Sequence, residues 1–410
     1  MEKRQPAAFV PALAPVTLAD LGGVRLAGVA AGIKASGRPD VALLVADNEL
    51  ACAGVFTQNA FAAAPVKLCR AHLQKTSGLT RAIVINSGNA NACTGERGER
   101  DARSMAETVA RLIGCAPELV LVASTGVIGV PLPLEKVTQG IEQAFGALTS
   151  EPAAARRFLD AIQTTDAFPK EAGEVSVSEG QSFNVAGVAK GAGMIEPNMA
   201  TMIAMVGTDL RISPAELGKA AVTIAARTFN AVHVDSHTST NDTLLLFSTG
   251  ARAATAPAPF AAWSAAFERV SHRLAWLIAR DGEGATKVTT IDVHHAPTEA
   301  LAKDIARRIA RSALVRTALY GNDPNWGRFV SAAGNSELPA DFSRLSCRLQ
   351  NVTVFERGEP TAFDRVAVSQ AMATDDVSLE IDLSGGDASA RVITSDLGYR
   401  YVEVNAEYTT

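Results

Sequence analysis

A chain of 410 residues, 47% hydrophobic and 20% charged, is long enough for two or more domains and apolar enough to bury sizeable cores. With Lys+Arg 38 against Asp+Glu 43 its net charge is −5, which offers no basic footprint for nucleic acid or an anionic membrane. No uninterrupted apolar run reaches the ~18 residues of a membrane span, and proline-punctuated sequence follows Met1-Glu-Lys-Arg-Gln-Pro where a signal peptide would carry a continuous apolar stretch.

The five cysteines (Cys52, Cys69, Cys93, Cys115, Cys347) are scattered, odd in number and lack a Cys-x-x-Cys. They read as reduced structural thiols of a cytoplasmic protein.

Short apolar runs at residues 41–45, 82–85 and 119–122 are bounded by turn residues and predict buried strands. Between and after them, residues 97–113 and 134–148 carry apolar side chains at three- and four-residue spacing and predict amphipathic helices. Further along, the pattern predicts helix 214–228, strand 243–247, helix 260–279, strand 287–293 and a longest helix over 297–319, stopped by Gly321 and Pro324. Residues 250–259 read as a loop. From about Leu338 short strands at 344–355, 377–383, 391–394 and 400–404 surround one helix at 362–373, a smaller α+β unit. The alternation argues for mixed α/β layers and leaves the strand order open.

The most informative stretch is Lys190-Gly-Ala-Gly-Met-Ile-Glu-Pro-Asn-Met-Ala-Thr-Met202. Glycines here let the backbone take strained geometry just ahead of Thr201. Cleavage of the Ala200–Thr201 bond, through attack of the threonine hydroxyl on the preceding carbonyl, would leave Thr201 with both a hydroxyl and a free α-amine. With a pKa of roughly 7.7–8.0, that amine can serve as base for its own hydroxyl. The bland reading is a buried strand beginning at a good β-former.

This stretch resembles the autoprocessing site of the ornithine acetyltransferase family, the bifunctional glutamate N-acetyltransferases of cyclic arginine biosynthesis. Four further segments and the chain end carry the same resemblance: Asn86-Ser-Gly-Asn-Ala-Asn-Ala-Cys-Thr-Gly95, Ser124-Thr-Gly-Val-Ile-Gly129, Thr238-Ser-Thr-Asn-Asp-Thr243, Gly321-Asn-Asp-Pro-Asn-Trp-Gly-Arg328 and Asn405-Ala-Glu-Tyr-Thr-Thr410. It implies an αββα-type sandwich with N-terminal-nucleophile chemistry and a smaller C-terminal α+β domain. Residues 1–200 would become one chain after self-cleavage and 201–410 the other, with 201–290 completing the sandwich and 291–410 forming the C-terminal domain.

It also implies Thr201 as nucleophile, Thr125 and Gly126 as oxyanion hole, and Lys190, Glu283, Asn405 and Thr410 as substrate residues, with Thr164 chosen over Thr165 for another. Acetyl would pass from N-acetylornithine to glutamate through acetyl-Thr201. No metal or bound cofactor is implied; acetyl-CoA as a second acetyl donor stays open, and the expected assembly is a heterotetramer of two copies of each chain. Alternatives are an autoprocessed amidase or aminopeptidase, with water as acceptor, and a non-catalytic amino-acid-binding protein. His233, Asp235 and His237 have metal-like spacing but no supporting ligand motif. One departure stands out: Ser236-His237 replaces the Gly-Asp that many family members carry there.

Overall fold

The computed structural model describes residues 16–196, 202–252 and 259–407. Thr201, Ala200 and Thr410 lie outside the described residues, as does 253–258 of the expected 250–259 loop.

In chain order the elements are β1 (Val24–Val29), β2 (Val41–Phe56), α1 (Ala64–Lys75), β3 (Leu79–Asn89), α2 (Gly95–Ile113), β4 (Val120–Val127), α3 (Leu134–Gly146), α4 (Pro152–Ile162), β5 (Lys170–Ser178), β6 (Gln181–Lys190), β7 (Ile203–Thr208), α5 (Pro214–Arg227) and β8 (Val232–His233). They continue with β9 (Thr243–Ser248), α6 (Phe260–Arg280), β10 (Val288–Ala296), α7 (Glu299–Arg311), α8 (Ala313–Tyr320), α9 (Trp326–Ala333), β11 (Ser346–Leu349), β12 (Val352–Glu356), β13 (Glu359–Pro360), α10 (Arg365–Ala371), β14 (Asp376–Asp382), β15 (Ala388–Ser395) and α11 (Tyr399–Glu407). The protein is mixed α/β with two sheets.

Two compact units result. The first takes the chain up to Asn230 together with His237–Ile278; the second takes Ala231–Ser236 and the chain from Ala279. The second unit therefore begins ahead of the expected 291 and recruits a short upstream strand, β8, which pairs with β15.

The first unit's sheet runs β4-β3-β2-β9-β7-β6-β5, with β1 also paired to β2. Its inner strands β7 and β9 are buried along their whole length, whereas edge strand β5 mixes buried and exposed residues. On one face Val41, Leu43, Val45, Val84 and Val122 pack against Met105 and Val109 of α2 and Val137 and Ile141 of α3. On the other, Ala42, Leu44, Ile83, Ile85 and Leu121 meet Phe158, Leu159 and Ile162 of α4. β6 and β7 are antiparallel, with Lys190 opposite Ile203, and β7 runs parallel to β9.

The second unit's sheet runs β13-β12-β11-β14-β10-β15-β8. Ile291 and Val293 of β10 bury against Leu301, Ile305 and Ile309, spaced along one face of α7.

Three expectations are corrected here. The helix expected over 297–319 is two helices, because Ser312 turns to ψ 112 and caps α8 by accepting from Val315 N at 3.3 Å. At 21 residues, α6 is longer than α7 or α8. The strand expected over 344–355 is a hairpin, turned at Gln350 (φ 50) and Asn351 (φ 64). The strand expected at 400–404 is helix α11. Its alternating apolar residues suggested a pleat, but the segment pairs with itself: Arg400 bridges Glu403 at 2.6 Å and Asn405 Nδ2 donates to Tyr401 O at 3.0 Å. Val402 is 66% exposed, so no buried face holds a strand register there.

Candidate active site

The ends of β3, β4 and β6 bring several of the expected residues together. β3 and β4 are parallel, with Ser87 opposite Thr125 and Gly88 opposite Gly126. Gly126 has φ 134, and a Cβ there would fall on the backbone of Gly88 and Asn89, so the close approach of the two strands demands glycine.

The loop after β3 is braced by its own asparagines. Asn89 Oδ1 accepts from Asn91 N at 2.8 Å, Asn91 Nδ2 donates to Gly98 O at 2.9 Å, and Asn86 Oδ1 accepts from Ser124 Oγ at 2.6 Å. The first Asn-rich motif is thus a scaffold that holds β4 in place.

Lys190, at the end of β6, is buried. Its Nζ donates to Thr164 Oγ1 at 2.7 Å and to Thr125 Oγ1 at 3.1 Å. It is the Thr164 hydroxyl that meets the lysine, which the adjacent threonines in the sequence could not decide. Because Thr125 Oγ1 accepts from an ammonium, its own hydrogen is directed to another acceptor.

Beneath this group lies an ion pair that sequence reasoning missed. Asp166 Oδ1 accepts from Lys170 Nζ at 2.6 Å and from Gly191 N at 2.8 Å, while Oδ2 accepts from Thr164 N at 2.9 Å. Burial works to raise the Asp166 pKa, but the Lys170 and Lys190 ammoniums and the Gly191 N–H outweigh it and hold the carboxyl well below the usual range. The segment from Thr164 to Lys170 did carry the signal, an acid and a lysine four residues apart beside two threonines.

Met202, the residue after Thr201, is fixed by two bonds. Its N–H donates to Asp242 Oδ1 at 3.3 Å, and its carbonyl accepts from Thr243 N at 3.0 Å. Asp242 is fully buried, and burial lifts its pKa well above the usual value despite hydroxyl and amide donors. Asn241 beside it ties the loop after β3 to strand β4, donating to Ala90 O at 2.6 Å and Ser124 O at 2.8 Å. The motif from Thr238 to Thr243 therefore holds Met202, just ahead of β7, and also braces β4, which carries Thr125.

Glu283 and Asn405 belong to the second unit. Glu283 is half-buried on the turn before β10, and Gly284 (φ 74) packs against the backbone of Arg400 and Tyr401 at the start of α11. Burial first, then the charges of Asp235 and Glu283, raise the Tyr401 pKa. Asn405 is exposed on the same helix. Ser236, the departure from the family pattern, sits at φ 63, and its hydroxyl meets His233 Nε2 at 2.9 Å; His233 Nδ1 meets Thr394 Oγ1 at 3.1 Å.

A buried lysine shared between two threonine hydroxyls, beside a close strand approach that only glycine fits, is equipment suited to acyl transfer in a mixed α/β fold. The ArgJ family model matches residues 25–410, and the chain belongs to the ArgJ family, bifunctional acetyltransferases of arginine biosynthesis. The arginine biosynthesis bifunctional protein ArgJ of Rhodopirellula baltica is 45% identical over 394 residues, covering 95% of this chain and 96% of that one. The protein of the same name from Thermus thermophilus is 46% identical over 388 residues, 95% of this chain and 98% of its own. A solved structure, ornithine acetyltransferase complexed with ornithine from Mycobacterium tuberculosis, is 36% identical over 46% of this chain and 96% of that chain, with TM-score 0.41. No helix among the described residues is long and apolar enough to cross a membrane.

Proposed function

We propose that the chain transfers acetyl from N-acetylornithine to glutamate through an acetyl ester on Thr201. The observation that carries the reading is the Lys190 ammonium shared by the Thr125 and Thr164 hydroxyls, at the end of β6, opposite the strand that starts just after Thr201.

Self-cleavage at Ala200–Thr201 frees the Thr201 α-amine. That amine takes the hydroxyl proton as Oγ attacks the acetyl carbonyl of N-acetylornithine. Thr125 Oγ1–H and the backbone around Gly126 donate to the oxyanion of the tetrahedral intermediate, where charge appears only as the bond forms. The intermediate collapses by breaking the amide C–N bond, and the leaving amine takes the proton back. Glutamate's amine then attacks the ester, forming N-acetylglutamate and restoring Thr201.

Lys190 orients the Thr125 hydroxyl and offers positive charge to a substrate carboxylate. Glu283, Asn405 and Thr410 are proposed to read the rest of the amino-acid substrate. None of these steps requires a bound cofactor, and acetyl-CoA is proposed only as a second donor of acetyl. A cytoplasmic heterotetramer of two copies of each cleaved chain is the proposed assembly.

The test is purified protein with N-acetylornithine and glutamate, read by mass spectrometry for ornithine and N-acetylglutamate in equal amounts. Acetate release without glutamate dependence would make the enzyme an amidase instead. A parallel reaction with acetyl-CoA replacing N-acetylornithine decides the second donor.

A further inference from the structure

The loop between β1 and β2 approaches the Thr125 group from another side. Asp40 pins it: Oδ1 accepts from Ala31 N at 2.6 Å, and Oδ2 accepts from Ile33 N at 2.7 Å and Lys34 N at 3.0 Å. The Lys34 stem lies over Gly88, with Cγ at 3.1 Å from the position a Cβ would occupy, and Gly88 is the register partner of Gly126. Lys34 Nζ donates to Pro39 O at 2.6 Å, which uses one of an ammonium's three donors. Arg38, on the same loop, donates to Thr164 O at 3.0 Å, and the Thr164 hydroxyl is the one bound to Lys190.

Lys34 shares this region with the cations Arg38, Lys170 and Lys190, and the carboxylates that act on it are Asp40 and Asp166. Asp40 is occupied by three backbone N–H groups and Asp166 by Lys170, Gly191 and Thr164. Burial, Arg38 and Lys190 push the Lys34 pKa down to about 8 against the pull of Asp40 and Asp166, and among the described residues no carboxylate is paired directly with its ammonium. A pinned loop that holds such a cation beside an acyl-transfer centre is suited to an anion supplied by the substrate.

We propose that Lys34, supported by Arg38 and acting beside Lys190, completes a carboxylate subsite that receives the α-carboxylate of the amino-acid substrate. This rests on the acetyl-transfer reading above. In both N-acetylornithine and N-acetylglutamate only the amide nitrogen and the α-carbon separate the acyl carbon from that carboxylate. An acyl group placed at Thr125 therefore carries its carboxylate close by, toward the cations around Gly88. A charge-assisted bond of this kind contributes about 10- to 100-fold in affinity. Lys34 is a positioning and specificity residue in this account and takes no part in the bond changes.

The experiment compares N-acetylornithine with its α-carboxamide in the wild type, Lys34→Met and Lys34→Arg, with thermal unfolding as the check on folding. The wild type is expected to prefer the carboxylate, and Lys34→Met to lose ~10- to 100-fold of that preference through KM, with kcat changed much less. Lys34→Arg should recover part of it. Lys34→Gln, which retains a donor for the Pro39 carbonyl, runs alongside so that a folding defect in one variant does not decide the result. An active wild type whose preference survives intact in both neutral variants overturns the subsite alone. A wild type inactive with N-acetylornithine overturns the acetyl-transfer reading, and the subsite with it.

Discussion

Asp166 and Lys170 are joined at 2.6 Å with neither side chain exposed, and the same carboxylate oxygen that receives the lysine also receives the Gly191 N–H. The pair thus ties the start of β5 to the glycine segment leading to Thr201. Breaking a buried pair by removing one partner leaves an uncompensated charge, at a cost of about 3–5 kcal/mol. Lys170→Met is expected to destabilise the protein by that amount, measured by denaturant unfolding at pH 7. The Asp166 pKa is depressed on folding, so its contribution is present above the unfolded value of about 3.9 and is lost as pH falls below it. The gap between variant and wild type should narrow on acidification; a gap that widens below pH 4 contradicts the ion-pair account.

Thr125 receives a hydrogen bond from Lys190 and has its own hydrogen to give. Thr125→Val keeps the shape and removes the hydroxyl. If that hydroxyl faces the oxyanion, kcat falls roughly 100- to 1000-fold while KM moves less. An unchanged kcat would leave stabilisation of the oxyanion to backbone N–H groups.

Gly126 tolerates no side chain, since a Cβ would overlap the Gly88 carbonyl carbon and the backbone sits at φ 134. Gly126→Ala combines overpacking of about 1–3 kcal/mol with backbone strain of similar size. Gly129→Ala meets nothing within 4 Å and bears only the strain of its φ of 80, so it should melt at a clearly higher temperature than Gly126→Ala.

Burial holds Asp242 protonated far above the usual carboxyl range. The folded state keeps a proton that the unfolded chain gives up above about pH 3.9, so this residue makes stability decline as pH rises past that value. Asp242→Asn supplies a permanently neutral side chain that still offers an oxygen to Met202 N. The variant should be at least as stable as wild type at pH 8, with the advantage shrinking toward pH 4. A marked loss of stability at pH 8 would mean that the carboxylate itself is required.

Thr201→Ala removes the hydroxyl proposed to attack the Ala200 carbonyl. The variant should run as one full-length band on a denaturing gel where the wild type gives two, and two bands from the variant would defeat the autoprocessing proposal.

The order of local elements was largely written in the chain. Apolar runs such as 41–45 and 82–85 became parts of β2 and β3, and the three- and four-residue spacing of 97–113 became α2, because burial on both faces of a strand or one stripe of a helix leaves a periodic trace. The Lys190–Met202 and Ser124–Gly129 motifs spoke only through their joint resemblance to a family, since each taken singly also reads as an ordinary strand start or turn. Where local pattern was ambiguous, tertiary partners decided. Val402 and Val404 sit at strand spacing, yet α11 formed because the segment's backbone bonds close within itself; Ser312 split a helix whose apolar period runs through it. The pairing of Lys190 with Thr125 and Thr164, the Asp166–Lys170 ion pair and the placement of Lys34 over Gly88 join residues far apart along the chain or depend on a buried surrounding. A sequence states which charges exist, but which become neighbours, and how much water each keeps, is fixed only when the strands align and the loops close over them.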